Sequence, residues 1–229
     1  MMHPFLSSLL HLSDPTLPIG GYVHSNGLET YVQQGIVHNA ATAHAFVQQM
    51  LTSNLQYNDG AFVCLAYRAT VANDQQEMLR LDEEAGALKL PKEIRQASQK
   101  LGVRLMKIFD RRHSNSFTAA YAAAIADKKA EGHYSLAYGM YAAVMNIPLE
   151  EALLAFYYNA AVGMVTNAVK LVPLGQLEGQ DILFDLQPMM NGLVQSTMQI
   201  DRDLVGVCNI GFDIRCMQHE KLYSRLYMS

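Results

Sequence analysis

The sequence is poor in several residue types that would identify a fold or compartment. It has no tryptophan and only three cysteines, Cys64, Cys208 and Cys216, in 229 residues. Three thiols give no even disulfide framework, and nothing at the N-terminus is typical of a cleaved signal, so we expect a reducing, cytoplasmic environment. Charged residues make up only 17% of the chain, whereas 50% is hydrophobic. This balance predicts that part of the surface is covered by partner molecules.

Catalytic and cofactor motifs are also missing from the sequence. It contains no phosphate loop, no G-x-G-x-x-G fingerprint, no nucleophile elbow and no H-E-x-x-H or C-x-x-C pair. Cys216 and His219 have the spacing of metal ligands, but two ligands do not make a site. We therefore predict no catalytic residue, no metal and no cofactor. The net charge of −4, without a recognised basic stripe, argues against binding to nucleic acid.

A small serine hydrolase is the alternative to a non-catalytic protein. His24 and Ser25 are a base and a nucleophile side by side in the sequence. Neighbouring residues seldom face each other usefully, so this alternative requires Ser25 to pair with a distant histidine.

The pattern of prolines and apolar residues predicts an all-α chain. None of the seven prolines interrupts a periodic segment, and alternating strand patterns are absent. We predict a single-domain helical bundle of about ten helices over residues 1–205, followed by a C-terminal docking tail over residues 206–229. Pro188 is expected to separate two helices, Gln180–Leu186 and Met189–Asp203. The acidic run Asp82–Glu84 is expected to be a solvated helix face.

The longest apolar segment, Ala152–Val172, has the length needed to cross a bilayer, which leaves open a membrane-inserted helical protein. We favour a core helix that other helices surround. Ala160, Gly163, Asn167 and Lys170 fall on one stripe of that helix. The stripe indicates either ordinary close packing with a solvated lysine or a packing seam that ends in a polar contact site.

Two further segments carry recognisable signals. Pro18 and Gly20 belong to a proline- and glycine-rich loop, after which Ser25 or Asn26 could cap a helix with Glu29 completing a capping box. The tail over residues 206–229 mixes aromatic, apolar and charged side chains, a composition that favours a segment docking on a partner. A last helix packed on its own domain explains the same composition equally well.

Three separated segments together resemble the UreF family of urease accessory proteins. They are LSDPTLPIGGYVHSNGLET from Leu12 to Thr30, NAVKLVPLGQLEGQD from Asn167 to Asp181, and HEKLYSRLYMS from His219 to Ser229. The resemblance implies an all-α, non-catalytic adaptor that acts in nickel insertion into apo-urease. It also implies a homodimer, a UreD/UreH-type accessory protein and a UreG-type GTPase as partners, and no nucleic acid or membrane. Beside the serine hydrolase, the other alternative is a helical scaffold with no link to urease.

The resemblance also assigns residues to these roles. The tail would dock on the UreD/UreH-type protein, and Lys170 with the loop after it would lie at or near partner and dimer surfaces. Lys170 would also be the candidate for modulating GTP hydrolysis. The partner-binding residues are then Lys170, Pro173, Leu174, Gln176, Gln180, His219, Glu220, Tyr223, Arg225 and Leu226; those of the structural loop and cap are Pro18, Gly20, Ser25, Gly27 and Glu29.

Overall fold

A computed structural model describes residues 3–229, so the first two residues of the predicted 1–205 domain lie outside it. Within the described residues there are eleven α-helices and no strand, which confirms the all-α prediction. The helices are α1 Leu6–Leu12, α2 Leu28–Gln33, α3 Ala40–Gln49, α4 Asp59–Val71, α5 Gln75–Leu88, α6 Lys92–His113, α7 Ser116–Ala126, α8 Tyr134–Val144, α9 Leu149–Leu171, α10 Gln176–Met198 and α11 Ile210–His219. A π-helical segment, Met50–Leu55, continues α3.

Several helices begin where their capping residues predict. The Asn39 side chain accepts the Thr42 N–H at 2.9 Å, and Asn115 does the same for Thr118. Asp74 accepts the Glu77 N–H at 2.9 Å. Each side chain satisfies a backbone donor that has no partner within its helix, so these starts are encoded locally.

Helix α9 lies at the centre of the bundle, as a core helix would. It packs against α10, α4, α3, α2, α1 and α8. By length and composition α9 could cross a membrane, yet half of its most apolar window is buried inside the protein. Neighbouring helices therefore cover much of this segment.

Helix α8 is the most thoroughly buried element, and it packs against α4 and α6. Tyr138 and Tyr141 on α8 are fully buried. A Cβ atom at Gly139 would overlap the main-chain carbonyl of Val63 on α4. The absence of a side chain at this position therefore sets the close approach of the two helix backbones.

The prediction of two helices around Pro188 is wrong, because α10 runs unbroken through it. Pro188 and Phe184 are both exposed, so the Phe184 carbonyl that loses its helical N–H partner lies near solvent. The buried side of α10 continues on both sides of the proline, through Leu183, Leu186 and Met190. Packing of this apolar side on α9 keeps the helix in one piece.

The prediction of a fully solvated acidic face on α5 is also wrong, because Asp82 is buried. Its carboxylate accepts the Glu131 N–H at 2.5 Å, the Gly132 N–H at 2.9 Å and the Tyr121 hydroxyl at 2.5 Å. Asp82 thus holds the turn before α8, and three donors satisfy its buried charge.

Candidate functional site: the C-terminal segment and its surroundings

The loop over residues 13–27 reaches α2 through two glycines in left-handed conformations. Gly20 has φ +91°, and a Cβ there would crowd the guanidinium of Arg104, which donates to the Ile19 carbonyl at 2.8 Å. Gly27, at φ +79°, is the N-cap residue of α2. The predicted capping box of Ser25 or Asn26 with Glu29 is wrong, because the Glu29 carboxylate binds the tail and not the start of its own helix. The Ser25 hydroxyl still accepts the Glu29 N–H, in a long hydrogen bond of 3.5 Å.

Ser25 binds the end of the chain. The main-chain oxygen of Ser229 accepts the Ser25 N–H at 2.5 Å, the Asn26 N–H at 3.1 Å and the Ser25 hydroxyl at 2.8 Å. The Ser229 hydroxyl lies 2.8 Å from His24 Nδ1. His24 and Ser25 thus both contact Ser229, and the Ser25 hydroxyl donates to a carbonyl oxygen where a hydrolase would need an imidazole.

Glu29 holds the segment that precedes Ser229. Its carboxylate accepts the Leu226 N–H at 2.8 Å and the Tyr227 N–H at 3.2 Å. The same carboxylate lies 3.1 Å from Nε2 of His219, and the side chains of both residues are buried. The glutamate therefore fixes the tail to the body of the protein instead of capping its own helix.

His219 is also bound from its other side, by Glu93 at the start of α6. His219 Nδ1 lies 2.9 Å from Glu93 Oε2, and Arg225 Nη1 lies 2.7 Å from Glu93 Oε1. Burial opposes the ionised carboxylate, but hydrogen bonds from His219 and Arg225 hold the pKa of Glu93 below its usual value. Both ring nitrogens of His219 therefore face carboxylate oxygens, which tie the end of α11 to α2 and α6.

Helix α11 packs one face on the protein and turns the other outward. Phe212, Cys216 and His219 are buried at helical spacing against α2 and α6. Burial raises the pKa of the Cys216 thiol, so this cysteine is an inert core residue. On the opposite face Ile210 is 65% exposed and Ile214 is 48% exposed.

The stripe on α9 faces a cavity of about 370 Å³ and not another helix. A Cβ at Gly163 would meet no atom within 4 Å, so the predicted packing seam is absent within the described residues. The polar end of the stripe does make contacts. Asn167 is buried and donates to the His24 carbonyl at 2.9 Å, and Lys170 lies exposed at the cavity edge.

His24 joins this cavity to the tail. Burial lowers the pKa of its imidazole, and the positive charges of Lys100 and Arg104 lower it further. His24 therefore favours the neutral form. Since Asn167 binds its carbonyl and Ser229 binds its ring, one line of hydrogen bonds connects α9, the loop and the end of the chain.

The connection between α9 and α10 lies on the surface. Pro173, Gln176 and Gln180 are exposed, and Leu174 is half-buried. Glu178 accepts the Gly175 N–H at 2.6 Å, which closes the first turn of α10. Leu177, in that turn, is 79% exposed.

A sequence model of the UreF family matches residues 37–187. The chain belongs to this family. Proteins described as urease accessory protein UreF match it almost end to end. The one from Actinobacillus pleuropneumoniae serotype 5b is 50% identical over 224 residues, which cover 98% of this chain and 99% of that protein.

Other relatives are similar over nearly the same length at lower identity. The urease accessory protein UreF of Haemophilus influenzae strain KW20 is 48% identical over 98% of this chain and 95% of its own. That of Lachnoclostridium phytofermentans is 31% identical over the full length of both chains. The match therefore includes the loop, the α9–α10 connection and the tail.

The tail residues that the resemblance assigns to partner binding fall into two groups in the structure. His219 is buried and Arg225 forms an ion pair with Glu93, so both hold the tail on its own domain. Glu220, Tyr223 and Leu226 are exposed, and Tyr223 has almost no contact with the protein. Sequence analysis missed the outward apolar face of α11. Ile210, Ile214 and Met217 recur every three or four residues, a helical pattern that could have revealed this face.

Proposed function

We propose that this chain is an adaptor in the maturation of nickel-dependent urease and has no catalytic activity of its own. In this role it binds a UreD/UreH-type accessory protein, recruits a UreG-type GTPase and presents both to apo-urease. The proposal is supported by the full-length similarity to proteins named as urease accessory proteins. The hydrogen bonding of Ser25, whose hydroxyl donates to a carbonyl oxygen, favours this role over that of a serine hydrolase.

The observation that carries the proposal is the concentration of exposed apolar side chains at the C-terminus. Of 18 large hydrophobic side chains that are exposed in the described residues, eight lie between positions 204 and 228. These eight are Leu204, Val207, Ile210, Ile214, Met217, Tyr223, Leu226 and Met228. Exposed apolar side chains gathered in one part of the chain are typical of a protein–protein interface. We assign it to the UreD/UreH-type partner.

A second surface, on α9 and α10, suits the homodimer. Leu154 and Tyr158 on α9 and Leu177 and Phe184 on α10 are all exposed, although the two helices pack side by side. We assign these four side chains to the interface of a symmetric dimer, which would bury them. Lys170, at the cavity edge, then remains available as the cation that approaches the GTPase and modulates GTP hydrolysis.

The test is co-expression with the cognate UreD/UreH-type and UreG-type proteins, followed by size-exclusion chromatography with mass detection. The wild-type chain should form a complex that contains two copies of itself. The double substitution Ile214→Glu and Met217→Glu should abolish the complex, because it places two charges on the outward face of α11. Deletion of His219–Ser229 should have the same effect.

The control is Leu10→Glu with Val71→Glu, two exposed apolar positions on α1 and α4. It introduces the same two charges on helices that are not main neighbours of α11. Assembly of the α11 variant at the wild-type level would refute the docking role of that face. Failure of the wild-type chain to bind soluble partners would refute the adaptor role itself.

A further inference from the structure

Helix α6 concentrates positive charge in an otherwise acidic protein. It holds seven of the chain's 17 Lys and Arg residues and two of its 21 Asp and Glu residues. The helix thus carries a net charge of +5, and the rest of the chain carries −9. Sequence analysis found no basic stripe and so missed this concentration of charge.

Four of these cations form a single row, which we call the α6 stripe: Lys100, Arg104, Lys107 and Arg111. Their spacings of four, three and four residues place them on one face of the helix, over about 16 Å. All four are exposed, while the opposite face, including Leu105 and Phe109, is buried in the core.

The stripe is not neutralised by the protein itself. Across residues 3–229, none of its four cations forms a salt bridge, and Arg104 makes a hydrogen bond only to the Ile19 carbonyl. The acidic residues of α6 have other partners. Glu93 binds His219 and Arg225, and Asp110 accepts the Tyr141 hydroxyl at 2.6 Å.

Such a row has a cost to the isolated helix. Like charges four residues apart repel each other, and Lys100–Arg104 and Lys107–Arg111 are two such pairs. Solvated helix faces usually alternate the sign of their charges, which relieves this repulsion. The stripe has no such relief, an arrangement expected where a partner supplies the opposite charge.

We propose that the α6 stripe is a docking surface for an acidic segment of a partner protein, with carboxylates spaced along one side of a helix or an extended chain. The charge of −9 on the rest of the molecule would repel a long polyanion such as nucleic acid, and a single row without aromatic side chains offers no base stacking. A short acidic protein segment meets the stripe without contacting the negative remainder. This proposal does not depend on the role in urease maturation.

The test uses the full-length protein and a fluorescein-labelled helical peptide whose glutamates repeat at the spacing of the stripe. Fluorescence anisotropy should detect binding that weakens as sodium chloride is added. Lys107→Glu with Arg111→Glu should raise the dissociation constant by about tenfold or more. The matched control, Lys128→Glu with Lys129→Glu, changes the net charge equally on the exposed turn after α7 and should leave the dissociation constant almost unchanged.

The neutral pair Lys107→Gln with Arg111→Gln removes the two positive charges without adding negative ones, and it should also weaken binding of the peptide. Circular dichroism should show wild-type helicity for every variant, so that a loss of binding does not reflect a folding defect. Equal losses in the stripe and control variants would overturn the proposal, because attraction would then depend on net charge alone. Tighter binding of a single-stranded oligothymidylate than of the peptide, lost in the stripe variant, would identify nucleic acid instead. Self-association abolished by the same variant, without peptide binding, would identify a second copy of the chain.

Discussion

Two buried carboxylates in this protein perform the same task in different surroundings. Asp82 holds the turn at residues 131–132 by accepting two backbone N–H groups, and Glu29 holds the tail at residues 226–227 in the same way. The third partner differs. Asp82 accepts the Tyr121 hydroxyl, whereas Glu29 faces the imidazole of His219.

The segments that they hold differ as well. The turn at residues 131–132 leads into α8, the most buried helix, so it cannot separate without disrupting the core. The tail after α11 is not helical, and its side chains at Tyr223, Leu226 and Met228 are exposed. We therefore expect the Asp82 contact to persist for as long as the core is folded, and the Glu29 contact to open at a lower cost in free energy, with the helical bundle still folded.

The largest effect should come from Asp82→Ala. This change leaves two N–H groups and the Tyr121 hydroxyl without a buried partner, and we expect the free energy of unfolding to fall by about 3–5 kcal/mol. Denaturation by urea, followed by circular dichroism, measures this loss. Asp82→Asn, which keeps one acceptor oxygen, should lose less stability. If Asp82→Ala were as stable as the wild type, the Asp82 contact would be no more essential to the fold than the Glu29 contact.

Glu29→Gln should act mainly on the tail. It removes the negative charge beside His219 and weakens the bonds to Leu226 and Tyr227, at a cost of about 1–2 kcal/mol. Trypsin should then cleave after Lys221 and Arg225 faster than in the wild type, with the helical core still protected. Glu83→Gln, at an exposed position on α5, is the control and should not change the cleavage rate.

Acidification should weaken both regions. Burial lowers the pKa of His24 near the tail and of His133 beside the residue 131–132 turn. Below the ordinary histidine pKa of about 6.5 the unfolded chain then binds more protons than the folded one, so the free energy of unfolding falls as pH decreases. Urea titrations at a series of pH values measure this slope.

Histidine substitutions separate the two contributions to that slope. His24→Gln and His133→Gln should each reduce the pH dependence, because each removes a group that is harder to protonate in the folded state. A slope that neither substitution changes would mean that other groups govern the acid response.

The smallest effect should come from Tyr223→Ala. The side chain is fully exposed and has no hydrogen bond in the described residues, so stability should change by less than about 0.5 kcal/mol. The rate of tryptic cleavage in the tail should also match the wild type. A marked loss of stability would show that Tyr223 packs on the protein in solution.

The sequence predicts the helices well because their signals are local. Asn39, Asp74 and Asn115 each bind a backbone N–H three residues away, and apolar periodicity identifies the buried face of each helix. Pro188 is instructive, because the same local reasoning fails there. Its effect depends on whether the helix on both sides has a continuous surface to pack on, and α9 supplies that surface.

The candidate site is less predictable because its contacts join distant parts of the chain. Glu29 has the spacing of a capping-box residue, but its partners are almost 200 positions away. No short-range sequence pattern distinguishes a glutamate that caps its own helix from one that binds a distant segment. The α6 stripe is the opposite case, since its spacing is visible in the sequence, and only the exposure and lack of neutralising partners required the structure.

The close approach of α8 to α4 at Gly139 has a consequence for how this protein can change over evolution. Any residue with a side chain at this position must push the backbone of α8 away from Val63 and disturb the tyrosines buried beside it. The exposed faces of α11 and α6, in contrast, can exchange residues without moving a helix. We therefore expect substitutions on these two faces to leave the fold intact, whereas any residue other than glycine at position 139 should disturb it.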